Sequence, residues 1–407
     1  MLDIDKQMAI FRRGSAEILP GENELVERLR ENRPLRIKLG VDPTASDIHL
    51  GHTVPLHKLR QLQELGHEIY FLIGSFTAQI GDPSGQKETR PELSESQVME
   101  FAKTYTEQVF KILDRTKTQV VYNGNWLSTM GMKDVIKLMA KTTVARILER
   151  DDFADRYKQN QPIHLHELLY SLLQAYDSVV LNADVEVGGT DQRFNLLMGR
   201  QIQIAAGQKP QICLLLPLLE GTDGSMKMSK TYGNSIGISD TPRDMFGKLM
   251  SIPDELMIKY FELLTEVSLD DIGALHKQWT NNEIHPKEVK KLMAREITKI
   301  YHSSEATSQA EKDFADVFDK KNGAGIPDNI DDLVIERNHL DLEKISIAKL
   351  IELTGALKSK SEIRRMIKQG GVKINGEKIQ DEFSIVNIKE GDVIRIGKSS
   401  FRRIKIC

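Results

Sequence analysis

The sequence predicts an α/β protein built on a parallel sheet, continued by a helical region and a small α+β module. Three observations predict it. Between about residues 30 and 220, short runs rich in Val, Ile, Leu and aromatics alternate with helical patterns, the signature of a parallel sheet covered by helices on both faces. Beyond about residue 240 the β signal disappears and helical spacing takes over. From residue 341 to the end, strand-like alternation returns in a segment with fifteen Lys/Arg against nine Asp/Glu. The whole chain has 56 Lys+Arg and 59 Asp+Glu, a net −3, so a +6 tail leaves about −9 on the rest. A basic module on an acidic body suits contact with phosphate groups, and equally a solvated basic surface without a partner. These shifts divide the chain at 1–232, 233–325, a linker at 326–340, and 341–407.

The elements follow in order. Residues 36–41 form a short apolar stretch, 69–76 a stronger one, and 118–122, 184–187 and 211–216 are further β-like runs. Leu56, Leu59, Leu62 and Leu65 recur at helical spacing, with Gly66 as a stop. Residues 244–250, 254–264 and 285–301 read as helices, whereas 320–332, with Gly323, Gly325 and Pro327, reads as a linker. In the tail, 345–353 and 361–368 read as helices, the second opened by Ser359 and Glu362 in a capping-box relation. Strands are expected at 372–374, 392–396 and 402–406, with a turn at Asn375-Gly376.

Composition narrows the class. Of 407 residues, 40% are hydrophobic and 28% charged, as in ordinary globular proteins. No apolar run approaches the ~20 residues of a spanning helix. Asp3 and Asp5 stand near the start without an apolar core region, so neither a secretory signal nor an acid-free presequence is expected. Cys213 and Cys407 are the only cysteines, too few for a disulfide framework or a multi-cysteine zinc site, and a reducing cytoplasm is the expected location.

Two motifs carry the chemistry of an anionic ligand. His49-Leu50-Gly51-His52 follows the first strand and the Asp42-Pro43-Thr44 turn, and opens a helix. A helix N-terminus favours phosphate, glycine lets a ribose or base approach, and imidazoles can donate to phosphoryl oxygens as charge builds. Lys227-Met228-Ser229-Lys230-Thr231, after Asp223-Gly224-Ser225, places two lysines on a glycine-containing loop, the form of a mobile phosphate clamp. Either segment could instead be an ordinary surface turn.

A third region suits a small zwitterion with a hydroxyl group. Tyr170, Gln174 and Asp177 stand at i, i+4 and i+7 and share one helical stripe. Leu165, Leu168, Leu169, Leu172 and Tyr176 fall on the other side, the expected core face, and the polar stripe alone would read equally as a solvent-facing side. Gly188-Gly189-Thr190-Asp191-Gln192 permits close approach of a ligand, with Asp191 a candidate for ribose hydroxyls or for a helix cap.

The first two motifs resemble the HIGH and KMSKS signatures of class I aminoacyl-tRNA synthetases. With Asp42–Thr44, IGDPSG at 80–85, YSLLQAYD at 170–177 and GGTDQ at 188–192, the chain from about residue 38 to 405 resembles bacterial-type tyrosyl-tRNA synthetases. The resemblance implies a Rossmann-like catalytic domain, an α-helical anticodon-side domain and an S4-like RNA-binding tail. It implies catalytic roles for Thr44, His49, His52, Lys227, Lys230 and Thr231. Gly40, Asp42, Gly51, Gly189, Asp191, Met228 and Ser229 would face ATP or the adenylate. Tyr170, Gln174 and Asp82 would take the ammonium of tyrosine, Asp177 its phenolic hydroxyl, and Gln192 would lie near the reacting carboxyl. ATP with Mg²⁺, tyrosine and tRNA(Tyr) are the implied substrates, with no structural metal. A homodimer is implied, its interface among helices within 124–160. Where many relatives have a tyrosine that contacts the substrate hydroxyl this chain has Lys38, where a basic residue is expected it has Gln86, with Lys87 and Arg90 nearby, and Thr231 replaces a serine.

The implied chemistry is attack of the tyrosine carboxylate on the α-phosphorus of ATP, then transfer of tyrosine to the 3′ end of its tRNA. Alternatives are an HxGH-type nucleotidyltransferase acting on a small metabolite, a tryptophanyl-tRNA synthetase, and a non-catalytic RNA-binding protein on a degenerate synthetase scaffold. The helical region and basic tail weigh against the first, Asp177 and the tail against the second, and the intact motifs against the last.

Overall fold

A computed structural model of the chain describes residues 3–43, 47–81, 93–318, 330, 332–335, 344–357, 359–397 and 400–407. Thr44, Asp82, Gln86, Lys87 and Arg90 therefore lie outside the described residues, as does most of the expected linker. The chain divides into two compact units. The first comprises Met1–Ser239 and Ile252–Tyr301, the second Asp240–Ser251 and His302–Cys407.

The first unit is built on a six-stranded sheet. Its strands are β1 (Glu17–Leu19), β2 (Arg36–Val41), β3 (Glu68–Ile73), β4 (Thr118–Tyr122), β5 (Val185–Gly189) and β6 (Ile212–Leu216), in spatial order β1-β6-β5-β2-β3-β4. Five strands run parallel, as the alternation of strands and helices predicts, and only the short edge strand β1 is antiparallel, against β6. Continuous apolar runs such as Ile212-Cys213-Leu214-Leu215-Leu216 are wholly buried because both sheet faces are covered. From β2 the chain winds outward through β3 and β4, then returns to the other side of β2 with β5. That reversal opens a crevice beyond the carboxyl ends of β2 and β5, the usual ligand position in open α/β sheets.

Two helices frame the crevice. Leu50–Glu64 starts at the HLGH motif and runs through Pro55, which removes one backbone donor near its N-terminus. Leu165–Leu181 ends at Asn182, whose left-handed φ of 47° is a common C-terminal stop. Its expected core face is largely present: Leu172 is buried, and Leu168, Leu169 and Tyr176 pack half-buried against the same cluster. Leu165, 82% exposed, departs from it, and the polar Tyr170 and Asp177 are buried as well. The helix turns its polar stripe toward β2, while Leu172, Leu173 and Ala175 pack with Met198 and Ile202 of the Arg193–Ala205 helix.

The helices expected after residue 240 are present as Pro242–Ser251, Met257–Leu264 and Pro286–Tyr301, joined by Leu269–Thr280 and Ser304–Phe318. In the second unit a five-stranded sheet has the order β10-β9-β12-β13-β7: β7 is Asp332–Ile335, β9 Val372–Ile374, β10 Glu377–Ile379, β12 Val393–Ile396 and β13 Ser400–Ile406. β8 (Lys344–Ser346) and β11 (Ile385–Asn387) form a separate pair. Helices Ile347–Thr354 and Lys360–Lys368 cover a core of Ile347, Leu350, Ile363, Ile367, Val372, Ile394 and Ile404. Ser359 caps the second helix by accepting from Glu362 N at 3.2 Å. Asn375 and Gly376 both take positive φ, which a two-residue hairpin between β9 and β10 requires. β7 falls where no strand was expected. It pairs in parallel with Arg403–Ile406, a partner about seventy residues away that local spacing does not reveal.

Candidate active site

The crevice at the switch point is a cleft of about 260 Å³. Of the sequence candidates it gathers Gly40, Asp42, His52, Tyr170, Gln174, Asp177 and Gln192, together with Lys38. Gly189 and Asp191 adjoin Gln192 but are not among its lining residues.

At the nucleotide end the two signature motifs meet, 177 positions apart in the chain. Gly51 N donates to the Met228 sulfur at 3.4 Å, and Leu50 N donates to Ile236 O at 2.9 Å. A Cβ on Gly51 would lie 3.1 Å from the His49 ring and 3.4 Å from Met228, so the absence of a side chain allows this approach. The His49 and His52 rings stack 3.8 Å apart. Desolvation by the surrounding protein lowers the His52 imidazole to about 4, with Lys230 and Lys227 pushing the same way, although the residue is exposed at the cleft, and the buried His49 falls to about 3. Both rings are therefore neutral at physiological pH. His49 N donates to His52 Nδ1 at 3.4 Å, which places the His52 proton on Nε2 as a donor.

The Lys227–Thr231 loop is exposed except at Met228 and Ser229. Lys230 Nζ pairs with Asp47 at 2.7 Å, with both partners exposed. Asn234, which sequence reading passed over, pins the loop: its Oδ1 accepts from Ser229 N at 2.8 Å and its Nδ2 donates to Asp223 at 2.8 Å. Buried polar residues such as Asn234, with no motif around them, leave no local signal.

The amino-acid end is a connected polar network. Tyr170 OH donates to Asp42 Oδ2 at 2.9 Å, and Thr77 Oγ1 donates to Asp42 Oδ1 at 2.8 Å. Asn123 Nδ2 donates to Thr77 Oγ1 at 3.0 Å and to Asp177 Oδ2 at 3.2 Å, and Trp126 Nε1 donates to Asp177 Oδ1 at 2.8 Å. Gly74 allows the Asp42–Thr77 contact, because a Cβ there would fall 1.9 Å from Asp42 Oδ1. Asp177 is 1% exposed. Burial pushes its carboxyl up to about 6, while Lys38, Trp126 and Asn123 pull the other way. Asn195 Nδ2 donates to Gln192 Oε1 at 2.9 Å and is itself held by Ser171 at 2.7 Å. Thr77, Asn123, Trp126 and Asn195 were not anticipated from sequence.

Lys38, at the position where many relatives have the hydroxyl-contacting tyrosine, is held in a buried ion pair. Its ammonium pairs with Glu186 at 2.9 Å and donates to Ser178 Oγ at 2.9 Å and Gln174 O at 3.1 Å, fully buried. The two side-chain donors to the Asp177 carboxylate are Trp126 and Asn123. Among the described residues no group of three or more His, Cys, Asp or Glu could hold a metal, and no helix is long and apolar enough to cross a membrane.

A nucleotide-type sheet with an imidazole pair and a lysine loop at its switch point defines a class I aminoacyl-tRNA synthetase. The family model described as tRNA synthetases class I (W and Y) matches residues 30–319, and the S4 domain model matches 347–394. The chain belongs to this family, and within it to the tyrosine--tRNA ligases. It is 51% identical to the tyrosine--tRNA ligase of Carboxydothermus hydrogenoformans, over 99% of this chain and 98% of that one. It is 49% identical to that of Haemophilus influenzae, over 100% and 98%. A tyrosyl-tRNA synthetase from Archaeoglobus fulgidus, solved with L-tyrosine, shares the fold at a TM-score of 0.62 and 24% identity, over 76% of this chain and 100% of that one.

Proposed function

We infer that the chain activates tyrosine with ATP and transfers it to tRNA(Tyr). The observation that carries the reading is the single cleft joining the HLGH turn to the Tyr170/Gln174/Asp177 stripe, with the KMSKT loop against that turn. Tyrosine lies with its phenolic hydroxyl on Asp177 and its ammonium on Gln174, Tyr170 and Asp82. Gln192 meets the carboxyl. ATP lies along Gly40, Asp42, Gly51, Gly189 and Asp191, with Met228 and Ser229 shaping the loop over it. It enters as its magnesium complex, the ion held by phosphate oxygens, as Mg²⁺ prefers. The tyrosine carboxylate attacks the α-phosphorus, pyrophosphate departs, and a ribose hydroxyl of the tRNA then attacks the adenylate's carbonyl carbon, taking the tyrosyl group as an ester and releasing AMP. No protein nucleophile is required, so the protein contributes positioning and charge stabilisation. Thr44, His49 and His52 donate to the phosphate as its geometry becomes five-coordinate, and Lys227, Lys230 and Thr231 take the departing pyrophosphate. Pyrophosphate exchange with tyrosine, tryptophan and phenylalanine in turn tests the reading. Exchange far faster with tyrosine than with phenylalanine or tryptophan is expected, and exchange with tryptophan in its place, or without any amino acid, would overturn it.

Both lysines act on His52 electrostatically, which suits one shared task. Lys227→Ala and Lys230→Ala are each expected to slow adenylate formation roughly ten- to hundredfold, the worth of a charge-assisted contact. The double variant should lose less than the product of the two, as single-turnover rates would show.

The functional division proposed is a catalytic domain at 1–232, a helical anticodon-side domain at 233–325 and an S4-like RNA-binding domain that starts at β7, because Asp332–Ile335, inside the segment 326–340 expected as a linker, pairs with β13 and adds Leu333 and Ile335 to that core. The +6 tail supplies phosphate contacts to tRNA. A chain ending at Phe318 should keep tyrosine-dependent exchange and lose tRNA charging. Undiminished charging by that fragment would show the basic tail to be dispensable.

A homodimer in the cytoplasm completes the proposal. On the Met132–Met139 helix, Met132, Ile136 and Met139 stand at helical spacing and are 74%, 57% and 47% exposed, with Val144 and Leu165 also exposed. Such an apolar face suits burial against a second copy. Ile136→Glu is expected to yield a monomer in sedimentation equilibrium, and an unchanged mass would place the interface elsewhere.

A further inference from the structure

We propose that the buried Lys38–Glu186 ion pair is a positioning device for substrate recognition, which fixes the Gln174 amide so that its oxygen is presented to the substrate's ammonium. The inference rests on the reading that the cleft holds an amino acid.

Lys38 on β2 and Glu186 on β5 are register partners in adjacent parallel strands, at the point where the sheet reverses. Their side chains are 0% and 2% exposed and meet at 2.9 Å. Several of the pair's remaining contacts reach one face of the Leu165–Leu181 helix. Lys38 Nζ donates to Gln174 O at 3.1 Å and Ser178 Oγ at 2.9 Å. Glu186 accepts from Gln174 Nε2 at 3.3 Å and Ser178 Oγ at 3.1 Å, and also from Gln211 Nε2.

The chemistry of an amide makes this arrangement directional. An ionised carboxylate only accepts, so Glu186 selects the NH₂ end of Gln174 and rejects its oxygen. Gln174 Oε1 is then left buried, without a hydrogen-bond partner among the described residues, on a side chain that lines the cleft. A buried acceptor of this kind is costly until a donor arrives, and an ammonium is the strongest donor the proposed substrate carries. Two apolar residues of similar size would fill the same space without desolvating two charges. What they would lose is the acceptor that holds the amide in one orientation.

The test measures binding of L-tyrosine and of 3-(4-hydroxyphenyl)propionate, which keeps the phenol and carboxyl but lacks the amino group, to the full-length protein by calorimetry. The variants are Glu186→Gln, which can present either end of its own amide, and Lys38→Met with Glu186→Met, which removes both charges together and keeps the test alive should the single change impair folding. The preference for tyrosine over its desamino analogue is expected to fall about tenfold or more in each folded variant, the scale of one charge-assisted hydrogen bond. A merely structural pair would weaken both compounds alike. A wild-type preference in a variant whose Tm is at least that of the parent overturns the proposal. If the parent itself binds neither compound, or shows no preference between them, the reading of the cleft fails instead.

Discussion

Asp177→Ala is expected to lower kcat/KM for tyrosine by roughly a hundredfold or more, while leaving the slow activation of phenylalanine nearly unchanged. The carboxylate is fully buried at the floor of the cleft with two donors already on it, Trp126 and Asn123. A phenolic hydroxyl completes its hydrogen bonding, whereas phenylalanine leaves it one partner short, and an unmet buried charge is expensive. Removing the carboxylate also orphans the two donors, which adds to the loss. The same group predicts a pH dependence. Its free-state value is raised by burial to about 6, above the ordinary ~3.9 of an aspartate. As pH falls through about 6 the carboxyl takes a proton and ceases to be an acceptor on that oxygen, so KM for tyrosine should rise on the acid side with kcat little affected. Exchange assays with both amino acids from pH 5 to 8 check both statements. A variant that keeps the parental preference for tyrosine would show that Asp177 does not read the hydroxyl.

His52→Ala is expected to slow adenylate formation by about 10²–10³ with little change in ATP affinity, the cost of losing one donor aimed at developing oxyanion charge. The ring is neutral, stacked on His49 and open to the cleft, and its Nδ1 is occupied by the His49 N–H, so Nε2–H is the free donor. A donor already oriented needs no reorganisation at the moment of reaction, which is why the effect belongs in the chemical rate. Because the imidazole titrates only near 4, the rate should stay flat between pH 6 and 9 as far as His52 is concerned. Pre-steady-state measurement separates the terms. A tenfold weaker ATP Kd with an unchanged chemical rate would make His52 a ground-state binding residue.

Much of the fold and of the site could be read before any coordinates. The β-like runs at 36–41, 118–122 and 211–216 coincide with β2, β4 and β6 to within a residue, because each is a short run of β-branched, aliphatic or aromatic residues whose composition is its own evidence. The HLGH turn, the KMSKT loop and the Tyr170/Gln174/Asp177 stripe were legible for the same reason: each is a local pattern within one turn or helix. That the Leu165–Leu181 helix buries its polar stripe as well as its leucine face was not legible. The leucine face packs on the neighbouring helix, and the polar stripe turns in over the cleft.

The sequence by itself determined the class of fold, the nucleotide end and the identity of the polar helix. Only the tertiary structure decided what those groups touch. From sequence, Lys38 marked only a departure at the position of a second contact to the substrate hydroxyl. It became half of a buried ion pair because parallel strands β2 and β5, 148 positions apart, align it with Glu186. Trp126 and Asn123 became partners of Asp177 through contacts across separate elements. Local spacing follows from the period of a helix or strand and is written in neighbouring residues. Parallel register is set by crossovers of many residues and by packing over the whole sheet, so no short stretch of sequence contains it.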